Sequence, residues 1–122
     1  MALLSISETD VLRGTILTPG WYTVNIQEVE ERPSRGDGSI FWKMSSIITE
    51  GEQKGVPVTF GFSEKAPSFA IPFVEAISGQ PASAGDVDLN NAQGKNLEIY
   101  ITNGLYNDKP TNEVKQYRPI GG

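Results

Sequence analysis

Cysteine and histidine are both missing from this 122-residue chain. Without cysteine there is no disulfide framework, no zinc-thiolate site and no thiol nucleophile. Without histidine the commonest general base and the commonest metal ligand go too. The two absences weigh against an enzyme, and neither a metal nor a cofactor is expected. Long apolar runs are also lacking, and nothing approaches the roughly 20 residues a membrane-spanning helix needs. The opening MALLSISETD has neither a basic n-region nor the apolar core of a secretory signal. No N-x-[ST] sequon occurs. A soluble, cytoplasmic protein with no membrane partner is expected.

Positive charge is scarce: ten Lys and Arg face fifteen Asp and Glu, a net charge of −5. Such a chain cannot coat nucleic acid by bulk charge alone. The cations are nevertheless concentrated. Residues 31–43 carry Arg32, Arg35 and Lys43, and residues 109–118 carry Lys109, Lys115 and Arg118, so two short stretches hold six of the ten basic residues and three of the fifteen acidic ones. If they adjoin in space, an acidic protein has one basic groove.

Thirteen Gly and eight Pro spread along the chain imply many turns and a mostly β domain. The length makes one domain, residues 1–122, with residues 1–18 an arm or short helix and 119–122 a short tail. Ser7 or Thr9 could cap a helical turn in the arm, although an extended arm fits equally. Tyr22, Val24 and Ile26 alternate with Thr23, Asn25 and Gln27, the period of a strand with one buried face. Arg32 to Ser39, with Pro33, Gly36, Asp37 and Gly38, is a hairpin tip. On the second strand Ile40, Trp42, Met44, Ser46 and Ile48 form one face, and Phe41, Lys43, Ser45 and Ile47 the other. Both faces carry an aromatic, so one ring is core and the other is covered or held out for a ligand. Trp42 shares its face with Met44 and Ile48, which favours it as core and leaves Phe41 beside Lys43 outside; periodicity alone does not fix the choice.

Val56, Val58, Phe60 and Phe62 alternate with Pro57, Thr59 and Gly61 on a third strand. Its small outer face either lets something flat approach the backbone or, at Gly61, marks a bulge. In residues 66–79 the spacing of Phe69, Phe73, Val74 and Ile77 predicts a core-facing helix, with Ser68 as N-cap, Pro72 in the first turn and Gly79 closing it. Residues 80–96 read as a loop. Leu97, Ile99 and Ile101 mark a fourth strand, Asn103-Gly104 and Asn107-Asp108 punctuate a connection, and residues 114–118 form a fifth.

Three strands, a helix and two more strands follow the order of the OB-fold, a five-stranded, partly open barrel that binds oligonucleotides or oligosaccharides on its β2–β3 face, between the β1–β2 and β4–β5 loops. Both basic stretches fall where such a barrel holds its ligand. The strings GWYTVNIQEVEERPSRGDGS, GVPVTFGFSEKA, LNNAQGKNLEIYI and NEVKQYRP also resemble a group of small phage-encoded proteins that look like OB-fold single-stranded-DNA-binding proteins of replication modules. The resemblance runs from about Ile6 to Pro119 and rests on turns and strands rather than a chemical signature. The RPIGG ending lacks the acidic, hydrophobic-tipped peptide of bacterial single-stranded-DNA-binding proteins.

Unpaired bases stack on aromatic faces for roughly 1–3 kcal/mol each, within a groove of Lys and Arg that follows the phosphates. The candidate rings are Phe41, Trp42, Tyr100, Tyr106 and Tyr117, with Tyr117 favoured for its place between Lys115 and Arg118. For Tyr100 and Tyr106 a turn-anchoring hydroxyl is as good an account. The candidate phosphate contacts are Arg32, Arg35, Lys43, Lys109, Lys115 and Arg118. Three other signals carry less. Asp86-Val-Asp88-Leu-Asn90 starts like a calcium loop but has Asn91 and Leu97 where Gly and Glu are required. Arg35-Gly36-Asp37 is a turn. Glu28, Glu30 and Glu31 have no partner acid in an apolar pocket and read as a solvated strand margin. The expectation is therefore non-enzymatic, largely sequence-independent binding of single-stranded DNA in phage replication or recombination, with self-association and phage replication proteins as further partners. The competing expectations are a β-rich virion structural or assembly protein with no nucleic-acid role, and a carbohydrate-binding barrel.

Overall fold

The structure is a computed structural model and describes residues 2–7, 11–12, 14–33, 36 and 38–121. It is mostly β: β1 (Gly20–Pro33), β2 (Ile40–Ile48), β3 (Pro57–Ser63), helix α1 (Ile71–Ser78), β4 (Asn96–Tyr106) and β5 (Lys109–Arg118). All five strands pair antiparallel in one sheet of order β3-β2-β1-β4-β5. The expected fold class, five strands with the helix between the third and fourth, is what forms.

Apolar alternation places the core. Val24 and Ile26 of β1, Met44 and Ile48 of β2, Val58 and Phe62 of β3, and Leu97, Ile99 and Ile101 of β4 all face inward and are buried. Each such side chain contributes roughly 1.5–3 kcal/mol by leaving water. Ser46 is the one buried polar residue among those described, and its hydroxyl donates to the Val58 carbonyl at 2.7 Å. That bond removes the penalty of an unsatisfied polar group.

Two bulges reset the alternation. The β1–β2 register steps between Ile26 and Glu28, so Gln27 is an extra residue and Val29 returns to the core face. The Ile26 carbonyl there accepts from Gly94 N at 2.7 Å and its amide donates to the Lys95 carbonyl at 2.9 Å. In β5, Ile101 pairs with Val114 but Tyr100 pairs with Gln116, which makes Lys115 the extra residue and turns Tyr117 inward.

The sheet does not close. Laid flat, its edge strands β3 and β5 would stand about 19 Å apart at roughly 4.8 Å per strand. Yet the Phe60 and Tyr117 rings are 5.6 Å apart, so the sheet is strongly curved. Its open seam is bridged by Phe60, Phe62, Phe73 and Tyr117, all in mutual ring contact. Edge and tilted arrangements of this kind add about 0.5–1.5 kcal/mol per pair beyond area burial.

The helix is shorter than its apolar spacing implies. Residues Pro67–Ala70 form a 3₁₀ turn and α1 begins only at Ile71, with Ala70 at its N-cap making no side-chain bond. Ser68 is therefore not the cap. The tighter pitch of the 3₁₀ turn also shifts Phe69 off the buried stripe and leaves it 73% exposed, against the expectation that it packs inward. Phe73 is fully buried, Pro72 lies in the first turn, and Gly79 ends the helix at φ 72. Residues 80–96 are not all loop: Leu89–Ala92 make a second 3₁₀ turn, with Leu89 and Ala92 buried and the Asp88 carboxylate accepting from Asn90 N at 3.0 Å. Asp88, suggestive of a calcium loop in sequence, is a cap.

Asn103-Gly104 is no turn. β4 runs through it to Tyr106, the reversal falls at Asn107-Asp108, both at positive φ, and β5 starts at Lys109 rather than Val114. The arm is anchored by side chains: Asn112 accepts from Leu17 N at 2.8 Å and donates to the Thr15 carbonyl at 2.8 Å, while Asn103 donates to the Leu17 carbonyl at 2.8 Å. No helix among the described residues is long and apolar enough to cross a membrane.

Candidate nucleic-acid interface

The outer face of β2 and β3 presents Phe41, Lys43 and Ser45 beside Thr59, Gly61 and Ser63. There is no bulge at Gly61, because the β2–β3 register is unbroken from Phe41 to Ile47. The glycine instead makes room for the Phe41 ring from the neighbouring strand. A Cβ at Gly61 would lie 2.6 Å from the Trp42 carbonyl oxygen and 2.7 Å from Phe41 Cε1. The flat group that approaches the backbone is the protein's own. With one side resting on Gly61, the ring is 36% exposed, a supported platform rather than a loose side chain.

From Lys43 a cleft of about 480 Å³ runs past Ser45 and Thr59 to Pro110, Thr111 and Asn112 of β5, with Gly14 and Ile16 of the arm closing one side. The curvature of the sheet thus brings the β4–β5 hairpin to the β2–β3 face. The first basic segment contributes Lys43 to this cleft and the second contributes Pro110, Thr111 and Asn112, so the two segments meet there with Lys43 as the one cation among the described residues of the lining.

The remaining candidates divide. Trp42 packs against the core and lines a separate apolar groove next to α1. Tyr117, favoured as a stacking ring, is a correction: the Lys115 bulge sends it into the aromatic seam, and burial pushes its phenol up to about 12. Tyr106 is the last residue of β4 rather than part of a loop, and is 72% exposed opposite Lys109. Tyr100 is outward but contacts Trp21 edge-on at 5.3 Å. Arg35, like Thr9 and Asp37, lies outside the described residues.

The cations are less free than their sequence positions suggest. Arg32 Nε and Nη2 donate to Glu30 at 2.8 and 3.0 Å. That hydrogen bond is the main reason the Glu30 carboxyl is held below its usual range and the Arg32 guanidinium above its own; charge attraction from Arg32 and then Lys43 adds to the first. Lys115 pairs with Glu113 at 3.0 Å, and Arg118 meets Glu98 at 3.2 and 3.3 Å while lying 3.9 Å over the Trp21 ring. Among the described residues Lys43 and Lys109 make no ion pair. Trp21 was not a candidate by sequence; its neighbours Tyr100 and Arg118 lie across β4 and β5, and only strand register places them there.

Among the described residues no three acidic, Cys or His side chains converge as metal ligands would. Comparison with known protein families and with curated proteins finds no match to this sequence.

Proposed function

We propose that this chain binds single-stranded DNA, without strong sequence preference, along the outer face of β2 and β3. In this reading it is a non-enzymatic, cytoplasmic protein of phage replication or recombination. The observation that carries the reading is the Phe41 ring, lying on Gly61 beside Lys43, which makes no ion pair among the described residues and lines a cleft that leads to the β4–β5 hairpin. One base stacks on the exposed side of Phe41, and the adjoining phosphates run past Lys43 towards Lys109. Ser45, Thr59, Thr111 and Asn112 supply hydroxyl and amide groups that can bond backbone or base without choosing a sequence. Support from the family resemblance is limited to the arrangement of strands and turns.

Because Arg32, Lys115 and Arg118 are already paired with carboxylates, stacking carries a larger share of the affinity than charge does. Fluorescence anisotropy with labelled oligo-dT tests this at low and moderate salt. Saturable binding that weakens in Phe41→Ala supports the proposal; indifference of the wild-type protein to the oligonucleotide at low salt rejects it. The same neutralised cations favour a second reading, a virion structural or assembly protein whose outward rings meet protein, and failure of the DNA titration would leave that one standing.

A further inference from the structure

We propose that the Glu30 carboxylate is an internal competitor for the ligand's phosphate: it occupies the Arg32 guanidinium on the face that carries Phe41, and so keeps the hold on a single strand weak. This inference rests on the nucleic-acid reading of that face.

Strand register brings the groups together. Across the β1–β2 pairing Arg32 lies opposite Phe41, Glu30 opposite Lys43 and Glu28 opposite Ser45. Directly opposed residues share a face of the sheet, so β1 adds one cation and two carboxylates to the surface that holds the ring. Glu31 lies opposite Trp42 on the other face, where its carboxylate accepts from Asn90 Nδ2 at 2.6 Å. Glu28 and Glu30 are thus the carboxylates of β1 that border the path of a bound strand.

Of the two, Glu30 is the one in place to compete. Arg32 Nε and Nη2 fork onto its two oxygens at 2.8 and 3.0 Å, which takes up the pair of parallel donors a guanidinium offers to a phosphate. Carboxylate and phosphate present the same anionic edge, so one excludes the other there. The Arg32 hydrogen bond holds the Glu30 carboxyl below its ordinary range, with Lys43 adding to the effect by charge. The competitor therefore stays an anion at neutral pH, and a phosphate arriving at Lys43 meets it across the strand pair. Both partners are open to solvent, with side chains 52% and 44% exposed. A pair this exposed contributes little to the fold, so its removal is read in binding.

Glu30→Gln removes the charge and keeps the shape. Glu28→Gln removes the same charge from the same face, at a residue that makes no ion pair among the described residues. Fluorescence anisotropy with labelled oligo-dT over a salt series compares both with the wild type, and circular dichroism checks that the fold is unchanged. In Glu30→Gln the affinity at low salt rises about two- to fivefold, the scale of an exposed ion pair set free. The slope of log K against log[salt] steepens by about 0.7, one further phosphate contact on a single strand. Adding Arg32→Ala to Glu30→Gln returns the slope to the wild-type value, and Glu28→Gln leaves it there. A Glu30→Gln slope equal to the wild type's, or a Glu28→Gln slope that steepens as much, overturns the proposal; wild-type binding that weakens in Phe41→Ala then still supports the reading of the face. Absence of binding in the wild type and Glu30→Gln alike at low salt rejects that reading, and this inference falls with it.

Discussion

Two clusters on the outside of the sheet combine an aromatic ring with a cation, and they are built to opposite ends. Around Trp21, every group is engaged: Arg118 stacks on the indole and forks onto Glu98, and Tyr100 meets the ring edge-on. Around Phe41, the ring rests on a glycine and stays 36% exposed, and Lys43 has no ion pair among the described residues. The first cluster ties three strands together. The second leaves its bonding capacity unspent, which is what a ligand site requires. Composition alone cannot distinguish them, and neither can register, since Glu98 lies opposite Arg118 and Glu30 opposite Lys43; the difference is that Glu30 is taken by Arg32.

The sharpest way to break the comparison is Gly61→Ala. The new methyl meets the Trp42 carbonyl as well as the Phe41 ring, so a ring flip alone does not relieve it, and overpacking of this kind costs about 1–3 kcal/mol. Urea denaturation should show that loss, and oligo-dT binding should weaken with it because the platform is displaced. Phe41→Ala and Trp21→Ala should then separate cleanly. The former is expected to lower affinity by about 1–3 kcal/mol with little change in denaturation midpoint. The latter should leave affinity intact and destabilise the fold, about 0.5–1 kcal/mol of it from the lost stacking of Arg118. If Trp21→Ala instead abolishes binding, the open and saturated clusters have been assigned the wrong way round.

A smaller effect concerns salt. Lys43 and Lys109, which make no ion pair among the described residues, neutralising two phosphates give a slope of log K against log[salt] of about −1.4, from about −0.7 for each contact on a single strand. A slope several times steeper would show that Arg32, Lys115 and Arg118 abandon their carboxylates on binding. The smallest expected effect is at high pH. Tyr117 ionises at about 12 in the fold because of burial, against an ordinary value of 10.0. Between those values the unfolded chain releases the proton and the folded chain keeps it, so the stability contributed by the neutral phenol is whole below pH 10 and declines as pH rises towards 12. Difference absorbance against Tyr117→Phe should place the phenolate step near pH 12, and in that variant the alkaline fall in stability should be shallower.

The inward faces of β1 to β4 were legible because a period of two in large apolar residues admits one pairing of face and core. The outward setting of Phe41 was favoured by the same count but not fixed by it, because Trp42 shares its face with Met44 and Ile48 while both faces of β2 carry an aromatic. Tyr117 was not legible: a single extra residue at Lys115 reverses every side chain after it, and neither Lys115 nor Gln116 is apolar enough to betray the slip. Phe69 misled because a 3₁₀ turn joined to an α-helix changes pitch within what looks like one apolar stripe. The pairing of Arg32 could be suspected from Glu30 two residues away on the same strand face. Arg118 and Glu98 are twenty positions apart and meet only through the β4–β5 register.

Closing the seam with rings rather than with a backbone ladder leaves β3 and β5 with unsatisfied rims, the standard route to uncontrolled strand addition. Both are blunted by their own residues. Pro57 begins β3 and Pro110 is second in β5, each withholding a donor, and the kink at Lys115 puts a charged side chain at the β5 margin. Backbone templating by a stranger is thereby discouraged on both flanks, and association is left to side chains.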